Sequence, residues 1–211
     1  MYAVETDVFR DPDLKVILEP GERLLWSGRP AYGRGFFQAV GQEKIVHAGS
    51  AVFAVFLWAS LPLIQPIGSP LAQTNAIWAY SAVTLMLVLF SFLWASHRRT
   101  KLRGLAYFVT DRRCILSHRV KNESLVTGVE VISCPHSATY PYSTVANRPY
   151  PSLQIGTMLS YDLPFPVGSG LSLGLDMVVR WQTPAPVVFE QVPEAEKLLE
   201  TILSCVAAIP D

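Results

Sequence analysis

The chain has 211 residues, with 17 basic and 17 acidic side chains and a formal net charge of zero. That balance lacks the basic excess of a nucleic-acid-binding protein, so no nucleic-acid partner is expected. Three cysteines, Cys114, Cys134 and Cys205, are too few and too scattered for a disulfide framework and read as free thiols of a reducing compartment.

Residues 1–45 form a polar segment, expected on the cytoplasmic side. Its first stretch, MYAVETDVFRDPDL, has no apolar core and is no signal peptide. A short helix fits around Leu14–Leu18, and Pro20-Gly21 marks a turn. Glu22–Gly28 (ERLLWSG) has the bulky apolar content of a short strand, ended by Gly28 and Pro30. Tyr32–Val40 (YGRGFFQAV) has the content of a segment lying along a membrane surface, or of a simple loop.

The next 53 residues, 45–97, contain no Asp, Glu, Lys or Arg. One soluble helix cannot account for this, because nothing in a chain of this size would cover it on all sides. The run divides at Gln65–Asn75 (QPIGSPLAQTN), leaving residues 46–64 and 76–96, 19 and 21 residues long. At 1.5 Å rise per residue each spans roughly 30 Å, the thickness of a bilayer's hydrocarbon core. The reading is a membrane α-helical hairpin: one crossing at 46–64, an external loop at 65–75 and a second crossing at 76–96. Arg29, Arg34 and Lys44 precede it, Arg98, Arg99, Lys101 and Arg103 follow it, and the loop carries no cation. Both termini should therefore face the cytoplasm, in a multi-pass protein of the cell (inner) membrane.

In the second crossing about nine strongly apolar residues at roughly −0.5 kcal/mol each give about −4 kcal/mol for insertion before polar residues are counted. The first, richer in Ala, Ser and Gly and carrying Pro62, is the weaker inserter. Trp58, Trp78, Tyr80 and Trp94 suit the interfacial belts. His47 and His97 fall at the inner ends of the two helices, as a metal-binding or proton-sensitive pair or as two separate interfacial histidines.

Residues 97–211 read as a cytoplasmic α+β domain. Leu105–Thr110 (LAYFVT) and Cys114–His118 (CILSH) flank the polar turn Asp111-Arg112-Arg113, as in a hairpin. Ser124–Ser133, Ser152–Thr157, Leu175–Gln182 and Pro186–Glu190 are further strands, and Cys134–Pro151, with four prolines, is an irregular excursion. From Pro193 apolar residues recur at helical spacing: Ala195, Leu198, Leu199, Ile202, Cys205, Val206 and Ile209. Pro193 suits the first turn and Pro210 stops the helix, which needs an apolar surface such as the open end of a small barrel.

Three islands together resemble the bacterial PH-like domain proteins that carry a two-helix membrane hairpin. LEPGERLLWSGRP (Leu18–Pro30) is similar to that family's opening signature, YFVTDRR (Tyr107–Arg113) to its hairpin after the membrane helices, and FEQVPEAEKLLETI (Phe189–Ile202) to its closing strand and helix. Cys134–Asp176 matches nothing in the pattern. The resemblance implies a PH-like small β-barrel capped by the C-terminal helix, with the opening strand joining it from across the membrane hairpin. It implies no activity.

Candidate chemistry is sparse. Cys134-Pro135-His136 is the one close Cys/His pair, a weak metal signal beside a plain strand end; Gly168–Gly174 lacks the spacing and context of a dinucleotide loop. No catalytic residue, cofactor or metal is expected. Arg98, Arg99, Lys101 and Arg103 are candidates for contact with anionic lipid head groups, at about 1 kcal/mol each, joined by Arg112 and Arg113 if their turn points back at the bilayer. The expected function is that of a membrane-anchored binding or scaffold module contacting lipid head groups, a protein partner or a second copy of itself. The alternative is an accessory subunit of a transporter or other membrane complex, with Ser50 and Ala54 on a helix-packing face.

Overall fold

The computed structural model describes residues 18–64, 70–121, 127–159 and 184–208. The strand expected at Leu175–Gln182, the Gly168–Gly174 stretch and nearly all of the helix expected at Leu14–Leu18 lie outside them. In chain order the elements are β1 (Leu24–Gly28), α1 (Gln42–Ala59), α2 (Leu61–Ile64), α3 (Pro70–Gly104), β2 (Leu105–Thr110), β3 (Arg113–Lys121), β4 (Thr127–Pro135), β5 (Ser143–Val145), β6 (Ser152–Leu159), β7 (Pro184–Phe189) and α4 (Ala195–Ala207).

The charge-free stretch folds as the two long helices α1 and α3, both long and apolar enough to cross a membrane. Ser60 and Pro62 break the first into α1 and a last turn, α2. The second begins earlier than its composition suggests. Pro70 sits in the first turn, where its missing N–H costs nothing, and the LAQTN that follows is helical rather than loop. At 35 residues, α3 is about 50 Å long and exceeds a hydrocarbon core by several turns.

Half-buried positions recur along one stripe of each helix: Ser50, Ala54 and Leu57 on α1, continued by Ser60 at its end, and Tyr80, Thr84, Leu87 and Ser91 on α3. Ser50 and Ala54 thus lie on the face α1 turns inward. Small side chains there let the backbones approach closely. Trp58 Nε1 donates to Thr84 Oγ1 at 3.0 Å, and the Ser60 and Tyr80 hydroxyls are 3.0 Å apart. Between these stripes the apolar windows of the pair point mostly outward, with Phe53, Val55, Phe56, Leu85, Met86 and Val88 each at least half exposed. A core helix of a soluble protein would be mostly buried; here none of either apolar window is.

The remaining strands form two antiparallel sheets, one in the order β1-β2-β3-β4 and one in the order β5-β6-β7. β1 precedes the helical pair in sequence yet lies beside β2, which follows it, with Gly28 opposite Tyr107 and Ser27 opposite Phe108. Among the described residues no ladder joins the two sheets, so the expected barrel is not closed. The sheets instead face each other. Tyr107, Val109, Cys114, Leu116, Ile132 and Cys134 of the first meet Leu153, Ile155, Val187 and Phe189 of the second. Helix α4 closes the core with Ala195, Leu198 and Ile202, while Cys205, expected inside, is only half-buried.

Helix α3 passes into β2 without a loop, and Gly104 makes this possible. A Cβ there would stand 2.8 Å from the Arg119 carbonyl oxygen, closer than real Cβ atoms come. The ends of α3 and β3 are therefore pressed together, and the sheet hangs directly from the helix.

Candidate functional site

Where the helices meet the sheet domain, Arg98 organises the junction. It is buried, and so is Glu43, in the first turn of α1. Arg98 Nη1 pairs with Glu43 Oε2; its Nε donates to the Gly33 carbonyl at 3.1 Å, and Nη2 donates to those of Gly35 (2.8 Å) and Phe36 (2.7 Å). One guanidinium thus fixes both helix ends and the loop between β1 and α1. That loop also needs Gly33, at φ +88°, where a Cβ would fall 2.5 Å from Leu102 Cδ1. Arg98, expected among the cations facing lipid, is withdrawn into the protein instead. Residue type gives Glu43 no distinction in the sequence; its position does, next to one edge of the charge-free run whose other end Arg98 bounds.

The same loop carries Phe36, whose ring lies 5.3 Å from that of Phe92 on α3, and Phe37, which is 94 % exposed. His47 Nε2 is 3.7 Å from Glu43 Oε1, and His97 is exposed.

Arg112 and Arg113 lie at the other end of the sheet. β2 leaves α3 and runs about 20 Å before reaching their turn, so neither is brought to Arg99, Lys101 and Arg103. Arg113 grips Glu22 through Nε and Nη2, both at 2.9 Å, and Thr110 Oγ1 donates to the same carboxylate at 2.7 Å. Thr110 Oγ1 also accepts from the Arg113 backbone N–H at 3.0 Å, so it holds the turn. Asp111 accepts from the Arg23 backbone N–H at 3.0 Å and ties β1 to the turn. Arg112 is half exposed, 3.9 Å from Glu19.

The Arg113 guanidinium holds the Glu22 carboxyl down to about 2, from the ordinary 4.5. A folded-state value below the unfolded one stabilises at neutral pH, by about 3 kcal/mol here, and the gain is lost as pH falls from about 5 to about 2. The difference in unfolding midpoint between wild type and Glu22→Gln should therefore shrink over that range. A difference that stays constant would mean the carboxylate is not what Arg113 recognises.

On the side of the sheet nearest the helices lies a cluster that the linear sequence does not reveal. Arg29 at the end of β1, Arg103 in the last turn of α3 and Arg119 near the end of β3 line one cleft with Gly104, Ala106, Phe108, Ser117 and Val129. The register assembles it, since Gly28 lies opposite Tyr107 and Leu105 opposite His118. Arg103 Nε also donates to the Arg34 carbonyl at 3.1 Å. Burial pulls the pKa of Arg34 down, and the charges of Arg29 and Arg103 add to the effect, so these cations are within range of one another. Arg99 and Lys101 lie half-buried on the same end of α3.

Elsewhere the reactive groups are placed structurally. Cys114 and Cys134 face each other across β3 and β4, and burial pushes the Cys134 thiol up to about 11 and Cys114 further. His136 Nε2 lies 2.9 Å from the Thr110 carbonyl oxygen. Among the described residues no three His, Cys, Asp or Glu side chains are grouped to hold a metal. No family model, curated protein or solved structure matches the chain.

Proposed function

We propose that this chain is a membrane-anchored, non-catalytic module with a PH-like domain at the cytoplasmic face of the cell membrane, where it contacts anionic lipid head groups. In this reading α1 and α3 cross the bilayer as a hairpin and both termini face the cytoplasm. The observation that carries it is the helical pair itself: its outer surface is apolar and wholly unburied, and the end joined to the sheet domain is where the basic side chains gather. Water does not tolerate an apolar surface of this extent. A bilayer covers it, and the cation asymmetry then sets its direction.

Two features support the PH-like assignment: sheets of four and three strands face each other under a C-terminal helix, and the opening strand joins from across the hairpin. In this reading the basic end begins at head-group level: Arg99 and Lys101 are three and five residues beyond Ser96, about 5 and 8 Å along the axis, against a head-group layer about 5–8 Å deep, and Arg103 follows just outside it.

Extraction of the full chain into mild detergent, with mass spectrometry of what accompanies it, tests the reading. Anionic lipid retained several-fold above its share of the membrane is the expected result. A stoichiometric protein companion without lipid enrichment would favour the accessory-subunit alternative. Retention of neither would overturn the binding function.

A further inference from the structure

The loop between β1 and α1 carries two aromatic rings whose level along the helices is fixed by contact. The Phe36 ring lies 5.3 Å from that of Phe92 on α3 and 5.3 Å from that of Phe37, so Phe37 is within about 11 Å of Phe92 whichever way it points. Phe92 stands four residues before Ser96, the last residue of the second crossing, which puts it about 6 Å inside the hydrocarbon edge. A helical side chain also leans toward its helix N-terminus, here deeper into the bilayer. Even directed straight away from the membrane core, the Phe37 ring would lie about 5 Å outside that edge, still within the head-group layer. With 94 % of its surface exposed, Phe37 is turned away from the protein, and Phe92 beside it is 53 % exposed. Lys44 Nζ lies over the Tyr32 ring at 5.8 Å, and Ile45 is exposed next to it. Aromatic rings with a cation at their edge are what an interfacial anchor is made of.

Irregular backbone enters a region of low dielectric only where its polar groups are already bonded. In this loop four successive carbonyls accept from arginine side chains. Arg98 donates to those of Gly33, Gly35 and Phe36, and Arg103 Nε to that of Arg34. Gln38 Oε1 accepts from the backbone N–H of Gly33 at 3.1 Å and of Gly35 at 2.9 Å, and the Gln38 N–H donates to the Gly35 carbonyl at 3.2 Å. Much of the backbone polarity beside Phe37 is thus bonded within the protein before any lipid is met. We propose that this loop is a third membrane-contact element, in which Phe37 inserts among the glycerol and upper acyl-chain groups of the cytoplasmic leaflet and, through Phe36 and Arg98, holds the sheet domain against the bilayer. The occupant is lipid because the exposed ring continues, ring to ring, the apolar outer surface of α3. No anionic head group is needed for it, which separates this contact from the basic one. The proposal rests on the membrane-anchored reading above.

The test places a fluorescent probe on single cysteines of the full chain in phosphatidylcholine nanodiscs, where both faces of the bilayer meet the solvent. Cys114 and Cys134 are buried, so Cys205→Ser supplies the background. Probes go on Phe37→Cys, on Leu85→Cys in the outward face of α3 and on Glu200→Cys in α4, all exposed positions whose variants should keep the unfolding midpoint of the background. Phosphatidylcholine spin-labelled on its acyl chain should quench the Phe37 probe several-fold more than the Glu200 probe, and aqueous iodide should quench it several-fold less. Adding phosphatidylglycerol should leave this pattern unchanged; a requirement for anionic lipid would overturn insertion of an apolar ring. A Phe37 probe that responds to iodide as Glu200 does, while Leu85 responds to lipid, would overturn the insertion and leave the anchored reading standing. Protection of the Phe37 probe from both quenchers would mean that a second copy or another protein covers the loop, and would overturn the lipid occupant. A Leu85 probe reached by iodide and not by lipid would overturn the anchored reading itself.

Discussion

Arg98→Ala should destabilise the protein by about 3–5 kcal/mol, read as a lower unfolding midpoint of the full chain in detergent. Truncation leaves the Glu43 carboxylate, only 4 % exposed, without its guanidinium, and strips the Gly33, Gly35 and Phe36 carbonyls of their common donor. A buried charge without a partner costs more than the pair ever contributes. Adding Glu43→Gln to the Arg98→Ala chain should therefore recover part of the loss, because the neutral amide is cheaper to leave buried. A single variant within 1 kcal/mol of wild type would mean that water reaches the pair. Arg98 would then return to the set of exposed interfacial cations.

Phe189→Ala is expected to cost a similar amount, about 3–5 kcal/mol. The ring is fully buried on β7 and stacks on Tyr107 of β2 at 4.6 Å and on Trp26 of β1 at 6.3 Å. Tyr107 in turn accepts the Glu190 backbone N–H at 3.0 Å, and burial raises its own pKa well above the usual phenol value. Phe189 thus links the strand before the helices, the strand after them and the closing strand. Removing it opens a cavity where the two sheets meet, and no ladder among the described residues is there to compensate. Phe37→Ala is the contrast: with its ring 94 % exposed, it should leave the unfolding midpoint in detergent unchanged.

The sequence made the helices legible because absence of charge over 53 residues is a signal that neither periodicity nor propensity can hide. The ends of that window carry a second signal. A stretch folded back at its middle brings its two ends side by side, so Glu43 and Arg98 were candidates for each other. Residue type alone does not separate such a buried ion pair from the topology-setting role of the basic neighbours of Arg98. The opening and hairpin islands also find a physical reason for occurring together, since Glu22 of one is held by Thr110 and Arg113 of the other. The arginine cleft was not legible. Arg29, Arg103 and Arg119 are far apart in sequence, and only the strand register and the loopless junction at Gly104 bring them together. The open arrangement of the sheets was equally hidden, because strand patterning specifies faces and not which edges pair.

The claim on which the rest depends is that the helical pair crosses a membrane with the sheet domain inside. A membrane-impermeant maleimide, applied to intact cells carrying single added cysteines, addresses it directly. Ala72→Cys, exposed near the start of α3, should be labelled at once, and Glu200→Cys, exposed on α4, only after the cells are permeabilised. Labelling of the α4 position in intact cells, or protection of the α3 position, would contradict the account.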